Sequence, residues 1–225
     1  MATNAIIFDL DGTLAYTIED IQTGVNNMLD RLGYKTRTKA EVLKFINNGA
    51  RELVRRSLPK SVQDSELIID TALAVYEEEY AKCYCEKTRV YDGMTQALTS
   101  LKKKGYKLAV ISNKQDMFVK TIIAKLFDKK FFAVVMGQDK LPPKPDPTST
   151  LLICKQLGAK PSGCIYVGDS DVDMKTAKNA DIKSIGVSWG YREVGILNTA
   201  GADYIAETPE EMQDIIEKIL PTKIK

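Results

Sequence analysis

Four polar segments of this 225-residue chain follow apolar runs closely. Residues 5–8 lead into Asp9-Leu10-Asp11-Gly12-Thr13, and 107–111 into Ser112-Asn113. Residues 133–136 run toward Lys144-Pro145-Asp146-Pro147, and 164–167 into Gly168-Asp169-Ser170-Asp171-Val172-Asp173. Brought together, carboxylates such as Asp9 and Asp169 repel one another unless a hard cation lies between them. Mg²⁺, with its oxygen preference and retained waters, suits that place. An entering phosphate dianion would meet the metal, the Lys144 ammonium and donors from Ser112 and Asn113, which together neutralise charge on a transferring phosphoryl group. Asp9 can attack phosphorus in line to form an aspartyl phosphate. Asp11, two residues on, can protonate the leaving oxygen and later deprotonate water. Gly12 permits the tight turn this needs. The chain has no histidine, which excludes a Ser-His-Asp triad and histidine general-base chemistry.

For these segments to act together, one scaffold must bring them to one rim. Apolar runs at 5–8, 107–111, 133–136, 164–167 and 185–187, with a weaker one at 204–206, alternate with amphipathic stretches at 94–104, 117–125, 147–157 and 172–180. This strand–helix alternation predicts an α/β fold, a Rossmann-like doubly wound parallel sheet covered by helices on both faces. Ligands of such sheets bind beyond the carboxyl ends of the strands, where all four segments fall.

One interval breaks the rhythm. From residue 17 to 87 the pattern is helical, with no convincing strand. Ile18, Ile21, Val25, Met28, Leu29 and Leu32 form one helical stripe, and Gly33 sits where that helix would end. Thr38-Lys39-Ala40-Glu41 has the form of a capping box, and 67–84 reads as another long helix. An insert of about 70 residues is too long for an ordinary crossover. The expected organisation is a core of residues 1–15 and 88–225 with a small α-helical cap domain at 16–87.

Composition narrows the partners. A hydrophobic fraction of 44% and a charged fraction of 28% are ordinary for a globular protein with a sizeable core. A net charge of +2 leaves no electrostatic footprint for nucleic acid or an anionic membrane surface. Residues 1–4 carry no basic region and no run is long enough to span a bilayer, so a soluble cytoplasmic protein is expected, as a monomer or small homo-oligomer. Cys83, Cys85, Cys154 and Cys164 lack metal-ligand spacing and read as free thiols.

The ordered set Asp9-Leu10-Asp11-Gly12-Thr13, Ser112-Asn113, Lys144-Pro145, and Gly168-Asp169 with Asp173 resembles the motifs of the haloacid dehalogenase-superfamily phosphatases. The resemblance covers essentially the whole chain. It implies Asp9 as nucleophile, Asp11 as acid/base, and Mg²⁺ held by Asp9, the Asp11 carbonyl and Asp169. It also implies that Asp173 orders a metal-bound water or supports the metal's ligands. More narrowly, the segments Asn48-Gly49-Ala50-Arg51-Glu52-Leu53-Val54 and Gly186-Val187-Ser188-Trp189-Gly190-Tyr191 resemble those of phosphoglycolate phosphatases and their pyrophosphatase relatives. Where that group often has Gly-Asn-Gly in the cap, this chain has Asn47-Asn48-Gly49. The resemblance implies a small phosphorylated metabolite such as 2-phosphoglycolate as substrate, with Asn48, Gly49 and Arg51 contacting its non-phosphoryl end. Arg51 reads equally well as ordinary helix surface. A phosphomutase or an inorganic pyrophosphatase on the same core is the alternative. A phosphonate hydrolase would need a cap lysine that the loop at 47–51 does not offer. Asp146 reads as a turn residue, Asp171 as a helix cap, and Trp189 and Tyr191 as packing at the edge of the core.

Overall fold

The computed structural model describes residues 3–128 and 130–221. Met1 and Ala2, part of the segment read as lacking a signal, lie outside the described residues, as do 222–225 at the end of the expected core. Strand β1 (Ala5–Phe8) is four apolar side chains, every one fully buried. Ile6 and Phe8 enter the core on one face of the sheet and Ala5 and Ile7 that on the other, as period-two alternation in a central strand requires. Burying each large side chain of this kind contributes about 1.5–3 kcal/mol.

Five further parallel strands complete the sheet: β4 (Lys107–Gln115), β5 (Val134–Gln138), β6 (Cys164–Gly168), β7 (Lys183–Val187) and β8 (Tyr204–Ala206), in the order β5-β4-β1-β6-β7-β8. Helices α5 (Met94–Lys103), α6 (Asp116–Leu126) and α10 (Pro209–Ile219) bury their apolar sides in one core. On the opposite face α7 (Thr148–Leu157) and α8 (Asp171–Asn179) supply Ile153, Leu157 and Ala177. A short α9 (Val194–Ala200) packs on α8 and β7. The strand order runs outward in both directions from β1, so a crevice opens at its carboxyl end. The parallel sheet with flanking helices is the fold class the pattern predicted.

Residues between β1 and β4 build a second apolar cluster. Helix α1 (Ile18–Arg31) buries Ile18, Ile21, Val25, Met28 and Leu29 against α2 (Lys39–Phe45), α3 (Gly49–Ser57) and α4 (Glu66–Cys83). The expected stop is present, with Gly33 at φ +76°. So is the capping box: Glu41 N–H donates to Thr38 Oγ1 at 3.3 Å, and Thr38 N–H to Glu41 Oε2 at 2.8 Å. Phe118 of α6, a helix otherwise packed on the sheet, enters this cluster, its ring 4.9 Å from that of Tyr80. Among the described residues no helix is long and apolar enough to cross a membrane, and all four cysteines are free.

Two features of the junction were not legible in the sequence. A two-stranded antiparallel ribbon, β2 (Ala15–Tyr16) with β3 (Arg89–Val90), ties the two chain crossings together. Beside it the buried Asp20 carboxylate on α1 accepts Lys87 N–H at 3.0 Å, Thr88 N–H at 2.8 Å and the Thr88 hydroxyl at 2.7 Å. Removing the acceptor leaves buried donors unpaired, each costing about 1–3 kcal/mol. Asp20→Ala is therefore expected to lower the unfolding free energy by about 2–4 kcal/mol, read from urea denaturation. A change within the scatter of a surface substitution would contradict this role.

Candidate active site

The carboxyl ends of β1, β4 and β6 converge as the motif spacing requires. Lys144 reaches in from the loop after β5; its Nζ lies 2.7 Å from Asp9 Oδ1 and 2.7 Å from Asp173 Oδ1. All three side chains are buried. Asp173 also accepts the Tyr166 hydroxyl at 3.2 Å, Ser170 N–H at 3.1 Å and the Ser170 hydroxyl at 2.6 Å. Its two oxygens are thus fully engaged, and its place in the site is to anchor Lys144.

Asp169 lies under a tight lid of backbone. Its Oδ1 accepts the Thr13 hydroxyl at 3.3 Å and its Oδ2 the Tyr191 N–H at 2.7 Å. Gly12, at φ +89°, leaves the space that Asp169 occupies: a Cβ there would stand 2.3 Å from its Oδ2. Gly190 does the same from the other side, where a Cβ would fall 2.1 Å from that of Asp169. Larger residues at either position would expel the carboxylate.

Oxygens of Asp9, Asp169 and Asp173 lie within 4.8 Å of one another, all buried. Burial pushes the Asp9 carboxyl well above its usual range, Lys144 opposing and the neighbouring carboxylates adding to the rise. Burial, then Asp173, raises Asp169 to about 7 against the Tyr191 N–H. Desolvation acts to lower Lys144, but Asp173 and Asp9 outweigh it and hold the ammonium charged. Three buried carboxyls share a single ammonium, and burial disfavours the ionised forms of Asp9 and Asp169. The hard oxygens of Asp9 and Asp169, whose charge Lys144 alone does not offset, fit a divalent cation such as Mg²⁺.

Asp11 points away from this cluster. Its Oδ1 accepts the Thr17 hydroxyl at 2.5 Å and the Lys114 ammonium, and its Oδ2 lies 3.5 Å from the Ser112 hydroxyl. Ser112 lines the cavity between Asp9 and Asp11. A free volume of about 70 Å³ opens there, closed on the far side by Ile21, Ile46, Leu53, Tyr76, Tyr80 and Phe118.

Several expectations need correction. Asn113 lines the cavity, yet its amide is already committed: Nδ2 donates to Lys144 O and to Asn47 O, each at 3.0 Å, and Oδ1 accepts Lys144 N–H at 2.8 Å. Both N–H bonds are used, so the Asn113 side chain clamps the Lys144 loop to the insert and has no amide donor left for phosphate. Arg51 does not line the cavity; it pairs with Glu66 and Asp70 of α4 on the exposed side of the insert. Asn48 is exposed and its Oδ1 accepts from Arg56 at 2.9 Å, while its neighbours Asn47 and Gly49 line the cavity. Ser170, not Asp171, caps α8; Asp171 pairs with Lys175 at 2.6 Å. Asp146 does make the expected turn, accepting Thr148 N–H at 2.9 Å.

Other residues escaped the sequence reading. Lys114 and Gln115 face the cavity because β4 continues past the apolar run, pairing Gln115 with Gln138 beyond an irregularity. The Tyr191 hydroxyl accepts Thr17 N–H at 2.7 Å and Ile18 N–H at 3.1 Å, capping the start of α1, while its own N–H holds Asp169. Arg192 donates to the carbonyls of Leu43 and Ile46. One loop thus joins a site carboxylate to the insert.

Comparison with known proteins finds similarity over most of the chain. The sequence profile of the haloacid dehalogenase-like hydrolases matches residues 6–187. A phosphoglycolate phosphatase of Pseudomonas putida is 33% identical over 220 residues, covering 96% of this chain and 78% of that protein. The phosphoglycolate phosphatase of Colwellia psychrerythraea is 33% identical over 212 residues, 92% of this chain and 94% of its own. Among solved structures, a candidate phosphoglycolate phosphatase from Lactobacillus delbrueckii subsp. bulgaricus superimposes with a TM-score of 0.88 at 30% identity, covering 96% of this chain and 99% of that one. The chain belongs to the haloacid dehalogenase-like hydrolases.

Proposed function

We propose that this protein hydrolyses a small phosphate monoester through an aspartyl phosphate on Asp9. The observation that carries the reading is the buried Lys144 bridge between Asp9 and Asp173, with Asp169 alongside and a small cavity directly above. Names borne by relatives covering nearly all of the chain support 2-phosphoglycolate as the substrate.

The residues have distinct tasks. Lys144 binds the phosphoryl oxygens and fixes one Asp9 oxygen, leaving Oδ2 to attack phosphorus in line as the bond to the leaving oxygen breaks. Asp11, held by Thr17, gives its proton to that oxygen. In the second half Asp11 takes a proton from water, whose oxygen attacks phosphorus; the acyl phosphate bond breaks, and Asp9 is regenerated with inorganic phosphate. Asp9, Asp169 and the Asp11 carbonyl would hold Mg²⁺, which when bound neutralises charge on the transferring group. Residues 16–87 act as a cap that excludes water from the first transfer, and the Tyr191–Arg192 loop, touching both Asp169 and the insert, keeps that cap in register with the site.

Metal removal tests the cation site. EDTA is expected to silence phosphate release and added Mg²⁺ to restore it. Ca²⁺ should inhibit, because its larger, looser shell misplaces the attacking carboxylate. Full activity in chelator would contradict the assignment. Assaying phosphate release beside sugar-phosphate isomer formation separates hydrolase from mutase.

A further inference from the structure

The cap-side half of the cavity holds two polar groups with no function in phosphoryl transfer. Lys114 is one. Its side chain is 9% exposed, its Nζ sits 5.3 Å from the centre of the Tyr80 ring, and its ion partner is the Asp11 carboxylate. Among the described residues lining the cavity, Lys114 and Lys144 are the only cations, and Lys144 sits at the phosphoryl end between Asp9 and Asp173.

Asn47 is the other. Its Nδ2 is sealed from solvent with no hydrogen-bond partner. Its backbone stands at φ +86°, in the left-handed region that asparagine enters more readily than most residues. Asn113 holds it in place by donating to its carbonyl at 3.0 Å. The buried Asn47 amide donor, in the wall of the same cavity as a largely buried ammonium, has a hydrogen bond left to give.

We infer that Lys114 and Asn47 form the subsite for the substrate's distal carboxylate, and that they set the enzyme's preference for a small carboxylated phosphate ester. This rests on the phosphatase reading above and goes beyond it by naming the residues that choose the substrate. The chemistry selects a single carboxylate. One ammonium and one amide donor match it, whereas a second phosphate dianion would need more positive charge than this half of the wall supplies. When the ester binds, its carboxylate replaces Asp11 as the partner of Lys114.

The test compares 2-phosphoglycolate with ethyl phosphate, which has a methyl group in place of the carboxylate. A charge-assisted pair of this kind gives wild-type enzyme a preference of about 10–100-fold in kcat/KM for the carboxylated ester. Lys114→Met should bring that ratio to within a few-fold of one, with most of the loss in KM for 2-phosphoglycolate; Lys114→Arg should retain part of it. Asn47→Gly suits the backbone conformation and removes only the amide, so it also lowers the ratio and carries the test if Lys114→Met fails to fold. Arg51→Ala, on the outer face of α3, should leave the ratio at its wild-type value. A ratio near one in wild type, or a wild-type ratio in both Lys114→Met and Asn47→Gly, overturns the subsite while the phosphatase reading stands. Wild-type enzyme that releases phosphate from neither ester with Mg²⁺ present overturns both.

Discussion

Asp9→Asn is expected to abolish phosphate release, by about 10⁶-fold if the loss matches removal of the nucleophile in other covalent catalysis. The amide cannot attack phosphorus, and the serine hydroxyls lining the cavity are already engaged: Ser112 has Asp11 3.5 Å away, itself paired with Lys114, and Ser170 donates to Asp173, which holds Lys144. The fold should survive. Asparagine has the same shape, and Lys144 keeps its second carboxylate, Asp173, at 2.7 Å. Phosphate release beside a circular-dichroism melt separates the two effects. Retention of more than a small fraction of wild-type turnover would remove Asp9 from the reaction.

Lys144→Met should damage stability and turnover together. Substitution leaves Asp9 and Asp173 buried with no counter-charge, and breaking a buried pair from one side typically costs about 3–5 kcal/mol. Asp173 feels this most, because Ser170 and Tyr166 hold it in place and it cannot turn toward solvent. Adding Asp173→Asn to Lys144→Met should recover part of the lost stability, since the double variant buries one charge fewer. Urea denaturation of the two single variants and the double variant reads this out. Strictly additive losses would mean that the two residues act independently, contrary to their 2.7 Å contact.

The carboxylates of the site were legible because Asp9 and Asp169 each follow the end of a strand. An apolar run followed by a carboxylate places that carboxylate at the rim of a parallel sheet whatever the details of the helices. Lys144 could be paired with the carboxylates on charge alone. The roles of Asn113 and Arg51 could not be read the same way. Whether an amide offers its N–H groups to a ligand depends on acceptors brought by tertiary structure, here Lys144 O and Asn47 O from distant loops. Arg51 faces Glu66 and Asp70, which α4 brings beside it only after the chain has turned. Lys114 was overlooked because the apolar run stops at Ile111 while the strand continues to Gln115. A strand end inferred from hydrophobicity falls short where the chain leaves the core to line a site. The ribbon β2–β3, two residues in each strand, is too short to leave any periodicity.

The cap loop shows the same limit from the other side. Similarity of sequence pointed to the segment around Asn48, and the structure turns the side chain of its neighbour Asn47 inward instead. Helix α3 starts at Gly49, and Asn48, just before it, accepts from Arg56 of its last turn. A single residue of register in a loop separates a wall of the cavity from the protein surface.

The central claim is that the phosphoryl group passes through Asp9. The direct measurement is acid quench of wild-type enzyme during its first turnover of 2-phosphoglycolate with Mg²⁺, followed by borohydride reduction and peptide mass spectrometry. An acyl phosphate at residue 9 is reduced to homoserine, so Asp9 should be recovered in that form in quenched enzyme and not in Asp9→Asn. Phosphate released at the wild-type rate with Asp9 unmodified, or with the label on Ser112, would contradict the account.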